Sequence, residues 1–186
     1  MKKTTEYATL FLTAVTLNAA VLPTITTVYA ETSSQTTVTN SLSQSQVNDL
    51  VNEVSKNHPD VSREWIQEVA ERQLRGDYTL PPTQEATFRS AWQGITVQQA
   101  AVAIDVGIGL AISGGIGGLA AFIRGQGKHD AKSIVRSVVA RVIGGRGGIV
   151  SEGVLDYALG LASPGTAIAR WYDSIDKYPN NGRINI

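Results

Sequence analysis

The chain of 186 residues contains no cysteine and only two histidines, His58 and His129. Without cysteine, disulfides, thiolate metal sites and thiol redox chemistry are excluded, so packing must hold the fold together. No nucleophile-elbow pattern surrounds any serine, and the sequence offers no clustered metal ligands. We therefore expect a protein that is not an enzyme and has no catalytic or metal-binding residues.

Charge is absent from Val106 to Ile123, a run of 18 residues. A helix that spans a membrane needs about 20 mostly apolar residues, so this run lies at the threshold between a buried core helix and a membrane-inserting one. Small residues recur every four positions here, and on a helix they would let two backbones approach closely. The glycines predicted to interact with the membrane are Gly107, Gly109, Gly114, Gly115, Gly117 and Gly118.

Two local structures compete for this stretch. From Val102 to Ile112, β-branched and small residues alternate, which is typical of a strand. Thr96 and Gln99, however, have the spacing of a capping box, and glycine weakens a strand interior. We favour a helix from Thr96 to Arg124 that Gly114 and Gly115 break into two pieces, forming a hydrophobic helical hairpin.

The segment from Ser113 to Ala121 also resembles a glycine-rich dinucleotide fingerprint. Ser113 stands where the first glycine should be, and no acidic residue follows at the distance that a ribose contact requires. No alternation of strands and helices precedes it in the expected mature chain. We therefore predict no nucleotide and no other cofactor.

The N-terminus has the pattern of a secretory signal peptide, comprising residues 1–30. Lys2 and Lys3 precede an apolar stretch, and Val28-Tyr29-Ala30 offers a cleavage site before Glu31. An uncleaved membrane anchor is the alternative. Residues 31–44 are rich in Ser, Thr and Gln and are predicted to form a disordered spacer. We expect a secreted, extracellular protein.

Residues 45–94 are predicted to form acidic amphipathic helices, with five basic and eight acidic side chains and a net charge of −3. Pro59 should stop the first helix, Asp60 or Ser62 should cap the second, and Gly76 should end it. Thr83 is a candidate cap for a third, short helix that ends before Gly94. Their aromatic side chains fit a core better than a binding surface.

Residues 95–186 combine the glycine-rich stretch with a cationic region. From Arg124 to Arg146, six basic side chains oppose one acid, Asp130, which gives a net charge of +5. Asp130 is a candidate N-cap for a helix over 131–143, and further helices are predicted over 149–162 and from Ser163-Pro164 onward. The basic residues predicted to contact anionic lipid are Lys128, Lys132, Arg136 and Arg141. A solvated face paired with the acidic helices is the alternative.

The signal peptide ending Val28-Tyr29-Ala30, the polar spacer, the cysteine-free chain and the segment GIGLAISGGIGGLAAF together resemble a secreted bacteriocin. More narrowly, the chain resembles the large non-lantibiotic streptococcin type of Gram-positive bacteria. That resemblance implies a toxin that is exported and kills related strains. The chain differs from small bacteriocins in its size and in lacking a double-glycine leader.

The sequence therefore predicts an all-α, multi-helix bundle around a glycine-rich hydrophobic hairpin. We expect an antibacterial protein that acts on the anionic lipid membrane of related bacteria, or on an unknown membrane receptor, and that forms homo-oligomers there. An immunity protein in the producer is an expected partner, and nucleic acid is not. Two alternatives stay open: a secreted binding or adaptor protein that keeps the hydrophobic stretch as permanent core, and a secreted hydrolase.

Overall fold

Most of the described chain is helical. The computed structural model describes residues 42–82, 94–113, 115–144 and 149–185. Within them lie α1 (Gln44–Asn57), α2 (Arg63–Leu74), α3 (Val97–Ala111), α4 (Leu119–Gln126), α5 (Lys128–Ile143), α6 (Glu152–Ala158) and α7 (Pro164–Ile175). A short antiparallel pair joins β1 (Ile95–Thr96) to β2 (Arg183–Ile184). The all-α prediction is confirmed for these residues.

Side-chain caps begin several of these helices where the sequence predicts them. The Thr96 hydroxyl accepts the Gln99 N–H, and the Gln99 side chain returns to the Thr96 backbone, which completes the capping box of α3. Ser62 caps α2, and Ser163 caps α7 with Pro164 as its first residue. Gly76 has a φ of +80° just beyond α2, the left-handed conformation that glycine adopts without strain.

The central helix of the bundle is α3. Every residue from Ala100 to Gly109 is buried, and α1, α2, α5 and α7 all pack against it. One side of α3 contributes Ile104 and Ile108 to a core shared with α5, α6 and α7. The other side contributes Val102 and Val106 to a core shared with α1 and α2. Helix is therefore the correct prediction for this stretch, because an alternating apolar pattern fits a helix that is covered on all sides.

The helical region breaks after Ala111, as predicted. Ser113 has a φ of +53° and Gly115 a φ of +70°, and a 3₁₀ turn over Ile116–Gly118 leads into α4. The chain bends by 60° between α3 and the segment Ile116–Gln126. A hairpin would reverse the chain direction, so this bend does not confirm the hairpin.

Membrane-spanning length is reached only by combining these two pieces. Among the described residues, no single helix is long and apolar enough to cross a membrane. Taken together as a bent pair, α3 and the segment Ile116–Gln126 have the required length and composition.

Three predicted boundaries need correction. Gly127, not Asp130, is the N-cap of α5, and Asp130 lies in its first turn. The helix predicted over 149–162 is limited to α6, because Ser151 caps its start. Gln44, predicted as the end of the spacer, begins α1, because Ser43 and Gln46 form a capping box. The predicted signal peptide, most of the spacer and the helix after Thr83 lie outside the described residues.

Candidate functional site

A buried polar cluster fastens α3 to its neighbours. The Asp105 carboxylate has no solvent exposure, and its Oδ2 lies 2.8 Å from His58 Nε2 and accepts the Ser163 hydroxyl at 2.6 Å. Its Oδ1 accepts the backbone N–H of Gly165 at 2.7 Å. An ionised carboxylate can only accept hydrogen bonds, so Nε2 is the donating ring nitrogen. We call these four residues the Asp105 cluster.

The members of the Asp105 cluster come from helix ends and from the middle of α3. His58 is the C-cap of α1, directly before Pro59, and its backbone N–H bonds Val54. Ser163 is the N-cap of α7, and Gly165 lies in the first turn of that helix. Buried charge is costly unless it is paired and hydrogen-bonded, and these two helix ends supply the three donors.

The Asp105 cluster contains the residue types of a hydrolase triad but not its geometry. In a triad, the imidazole stands between acid and hydroxyl and uses one nitrogen for each. Here Nε2 of His58 faces both partners, lying 3.3 Å from Ser163 Oγ, while that hydroxyl bonds the carboxylate directly. Ser163 Oγ also accepts the N–H of Thr166 as a helix cap. The arrangement can hold helices together, but it lacks the imidazole relay that would activate Ser163.

A cleft of about 340 Å³ opens beside the Asp105 cluster. His58 lines it, and all hydrogen bonds of its ring within the described chain use Nε2. The carboxylate of Asp173, which also lines the cleft, is occupied by the backbone N–H groups of Asn181 and Gly182. The other lining residues are Asn57, Pro59, Asp60, Val61, Val97, Gln98, Ala101, Thr166, Arg170 and Gly182.

The predicted glycines of α3 lie in contact with other helices of the bundle. A Cβ at Gly107 would lie 2.5 Å from Val138 of α5 and 3.0 Å from the Gln73 amide oxygen of α2. A Cβ at Gly109 would overlap the Leu50 side chain of α1. Both glycines thus permit close helix packing within this fold.

Two of the glycines after the break, Gly115 and Gly117, lie against the carboxylate of Glu53 in α1. Glu53 accepts the backbone N–H of Gly117, and a Cβ at Gly115 would lie 2.5 Å from the same carboxylate. Gly118 is different, because the nearest atom to a Cβ there would be the Ile112 methyl at 3.9 Å. Gly114 lies outside the described residues.

The predicted lipid-contacting cations have different environments. Lys132 Nζ lies 2.8 Å from Glu152 and 2.9 Å from Asp156, both on α6, and Arg136 also pairs with Glu152. The hydrogen bond from Lys132, and to a lesser extent the one from Arg136, holds the pKa of Glu152 below its usual range. The hydrogen bonds of Lys132 to Glu152 and to Asp156 raise the pKa of Lys132. The partners of these two cations are therefore on α6, not on the acidic N-terminal helices.

The two remaining cations of this set lie at opposite ends of α5. Arg141 donates to the Tyr78 hydroxyl at 3.1 Å, and its guanidinium lies 5.3 Å from the centre of that ring. Lys128 is exposed and forms no ion pair within the described part of the chain. Arg124 of α4 is exposed as well.

Sequence reasoning did not find the Asp105 cluster. From the sequence alone, Asp105 received no role, His58 was named only as one of two histidines, and Ser163 only as a helix start. One signal was present: Asp105 is the one charged residue of α3, and such a charge needs a partner when the helix is buried. Which partner it finds depends on contacts 47 and 58 residues away.

No protein-family profile matches the chain, and no curated protein or solved structure matches it significantly.

Proposed function

We propose that this protein is a secreted antibacterial protein, of the bacteriocin kind, that acts on the membrane of related bacteria. The observation that carries the proposal is the position of α3. Asp105 is the one charged residue of α3, and other helices surround α3. After a bend, the chain continues into a second, largely apolar segment. The pair has the length and composition for insertion, and the surrounding helices would keep it in solution.

In this proposal, residues 1–30 direct export and the mature chain reaches the target through its cationic surface. Lys128 and Arg124 would make the first contacts, each contributing about 1 kcal/mol near an anionic surface. Release of Lys132 and Arg136 from Glu152 would then add two further cations. The α3 segment would insert with the segment after the bend as a hairpin and associate through small-residue faces into a homo-oligomer. A membrane receptor on the target and an immunity protein in the producer belong to the same proposal.

The second candidate is a secreted binding or adaptor protein in which α3 never leaves the core. The close fit of Gly107 and Gly109 against neighbouring helices favours it, because such packing resists rearrangement. The two candidates differ in one physical requirement: the antibacterial function needs α3 to separate from α1, and the adaptor function does not.

A reversible crosslink between α1 and α3 tests this requirement. A Cβ at position 109 would lie 3.4 Å from Leu50 Cγ, which is the atom that a sulfur at position 50 would replace. A disulfide needs its two Cβ atoms roughly 3.5–4.5 Å apart, and the short distance to Leu50 Cγ places the Leu50→Cys/Gly109→Cys pair within reach of that geometry. Because the chain has no other cysteine, this disulfide would be the sole one.

The measurement is dye release from anionic vesicles by residues 31–186, with killing of related bacteria on lawns as the second readout. We expect the reduced double-cysteine protein to release dye and the oxidised protein to leave vesicles intact, with Leu50→Cys alone insensitive to oxidation. If the wild-type protein neither releases dye nor kills any tested strain, the adaptor function is the remaining candidate. Equal activity of the oxidised and reduced forms would show that activity does not require α3 to separate from α1.

A further inference from the structure

Asp105 is the one charged residue on α3, and its carboxylate is fully buried. Three donors satisfy it: the ring nitrogen of His58, the hydroxyl of Ser163 and the backbone N–H of Gly165. These donors belong to α1 and α7, on either side of α3 in the chain order. One carboxylate therefore ties three helices together.

Separation of α3 from α7 would break these bonds as a group. The Gly165 N–H and the Ser163 hydroxyl both belong to the start of α7, so moving that helix removes two donors from Asp105 in one step. A buried charge that loses its partners is strongly unfavourable until water reaches it. Apolar contacts elsewhere on α3, such as those of Val102, lack this directional requirement.

We propose that the Asp105 cluster is a latch that holds α3 in the bundle in water and limits the rate at which α3 becomes exposed. The latch regulates the insertion step, and in this respect it rests on the proposed membrane function. Its action on α3 takes place in solution and is measurable without a membrane.

The chain supplies a matched control for this latch. Ser163 has two roles, because its hydroxyl caps α7 and also bonds Asp105. Ser151 caps α6 in the same way, by accepting the N–H of Val154, and has no bond to Asp105. Replacing either serine by alanine removes one helix cap, so the difference between the two variants reports the contacts of Ser163 with Asp105 and His58, together with its 2.6 Å bond to the Thr166 hydroxyl.

The exposure of α3 can be measured through a single thiol. Ile104 is fully buried on the face of α3 that meets α5, α6 and α7, and cysteine is smaller than isoleucine, so Ile104→Cys places the chain's one thiol where movement of α7 would expose it. In this background we expect Ser163→Ala to raise the rate of thiol labelling in water about tenfold, by the full factor that its loss of global stability in urea corresponds to, because the opening of α3 breaks its hydrogen bond to a charged group. Ser151→Ala should lose stability in urea but label no faster than its parent, because the cap of α6 stays formed when α3 opens.

His58→Phe provides a second, independent variant. It removes the other side-chain donor of Asp105 while retaining a ring, and it should accelerate labelling in the same way. Combined with Ser163→Ala it should give less than the product of the two single effects, because both act on the same carboxylate oxygen.

The labelling and vesicle results separate the latch from the proposed function. Faster labelling of Ser163→Ala and His58→Phe without any dye release supports the latch and contradicts membrane action. If every variant, Ser151→Ala included, labels faster by the factor that its loss of stability in urea predicts, the latch is overturned, whether or not the wild-type protein releases dye. Faster labelling together with earlier dye release supports both.

Discussion

Gly165 of α7 lies directly against the carbonyl group of Ala101 in α3. A Cβ at position 165 would overlap the Ala101 oxygen and lie 2.8 Å from the Asp105 carboxylate. Neither atom can move without shifting the backbone of α3 or breaking the bond between the Gly165 N–H and Asp105. This contact fixes how closely the two helices approach.

Gly165→Ala should therefore destabilise the fold, although alanine is the better helix former. We expect a loss of about 1–3 kcal/mol in the free energy of unfolding, as for other overpacked sites. The matched control is Gly153→Ala in α6, where a Cβ would meet nothing within 4 Å. That substitution should stabilise by up to about 1 kcal/mol. Urea unfolding followed by circular dichroism measures both, and equal effects would contradict the close approach.

Gln73→Met should stabilise the protein. Gln73 is buried, its Nε2 donates to the Ala103 carbonyl at 2.9 Å, and its Oε1 has no hydrogen-bond partner among the described residues. An unpaired buried acceptor costs about 1–3 kcal/mol, more than the one hydrogen bond that methionine gives up. We expect a gain of about 1 kcal/mol in unfolding free energy. Gln67→Met, at a partly exposed position of the same helix, should change stability little, and a loss of stability in Gln73→Met would refute the argument.

Glu152→Gln should weaken the fold at neutral pH and strengthen binding to anionic lipid. The substitution releases Arg136 from Glu152 and leaves Lys132 paired with Asp156 alone among the described residues. Because the folded pKa of Glu152 is lowered, its contribution to stability is present above its unfolded value, near 4.5, and is lost as the pH falls through the folded pKa. The stability difference between wild type and variant should therefore disappear below that pH.

Vesicle sedimentation and urea unfolding at several pH values test this prediction. Glu64→Gln is the charge-matched control, because Glu64 of α2 is exposed and far from α5 in the chain. If both variants bind anionic vesicles equally, the gain comes from net charge alone and the pairing of Lys132 and Arg136 has no role in binding.

Gly118→Leu should leave the soluble fold intact but abolish vesicle permeabilisation. Gly118 has a φ of −70°, and a Cβ there would have no neighbour closer than 3.9 Å. The described contacts therefore do not require glycine at this position, whereas an interface between helices in lipid would. We expect binding to vesicles to persist while dye release is lost.

Ala120→Leu is the control for added hydrophobicity. Ala120 is exposed and lies in the same helical segment, and its position two residues after Gly118 puts it on a different side of the helix. Thermal melting should show that both variants fold. If Gly118→Leu releases dye as efficiently as Ala120→Leu, a small-residue interface at Gly118 is ruled out.

The local signals in the sequence were reliable where a bond forms within about four residues. The capping box of Thr96 and Gln99, the cap at Ser62 and the Ser163-Pro164 start all form as predicted. Asp130 failed as a cap because Gly127, with a φ of +93°, already separates α4 from α5 and lets α5 begin earlier. Such competition between neighbouring start signals depends on the path of the preceding helix.

The amino-acid sequence by itself determined that the described chain is helical, where several helices begin, and that one uncharged stretch needs cover from water. Caps and apolar periodicity act within a few residues, so they can be read from the chain alone. Only the tertiary structure decided that Gly107 and Gly109 face α5 and α1, that Lys132 and Arg136 pair with α6, and that Asp105 meets His58 and Ser163. These contacts join residues far apart in the chain, and the way the helices pack around α3 selects them from many possible partners.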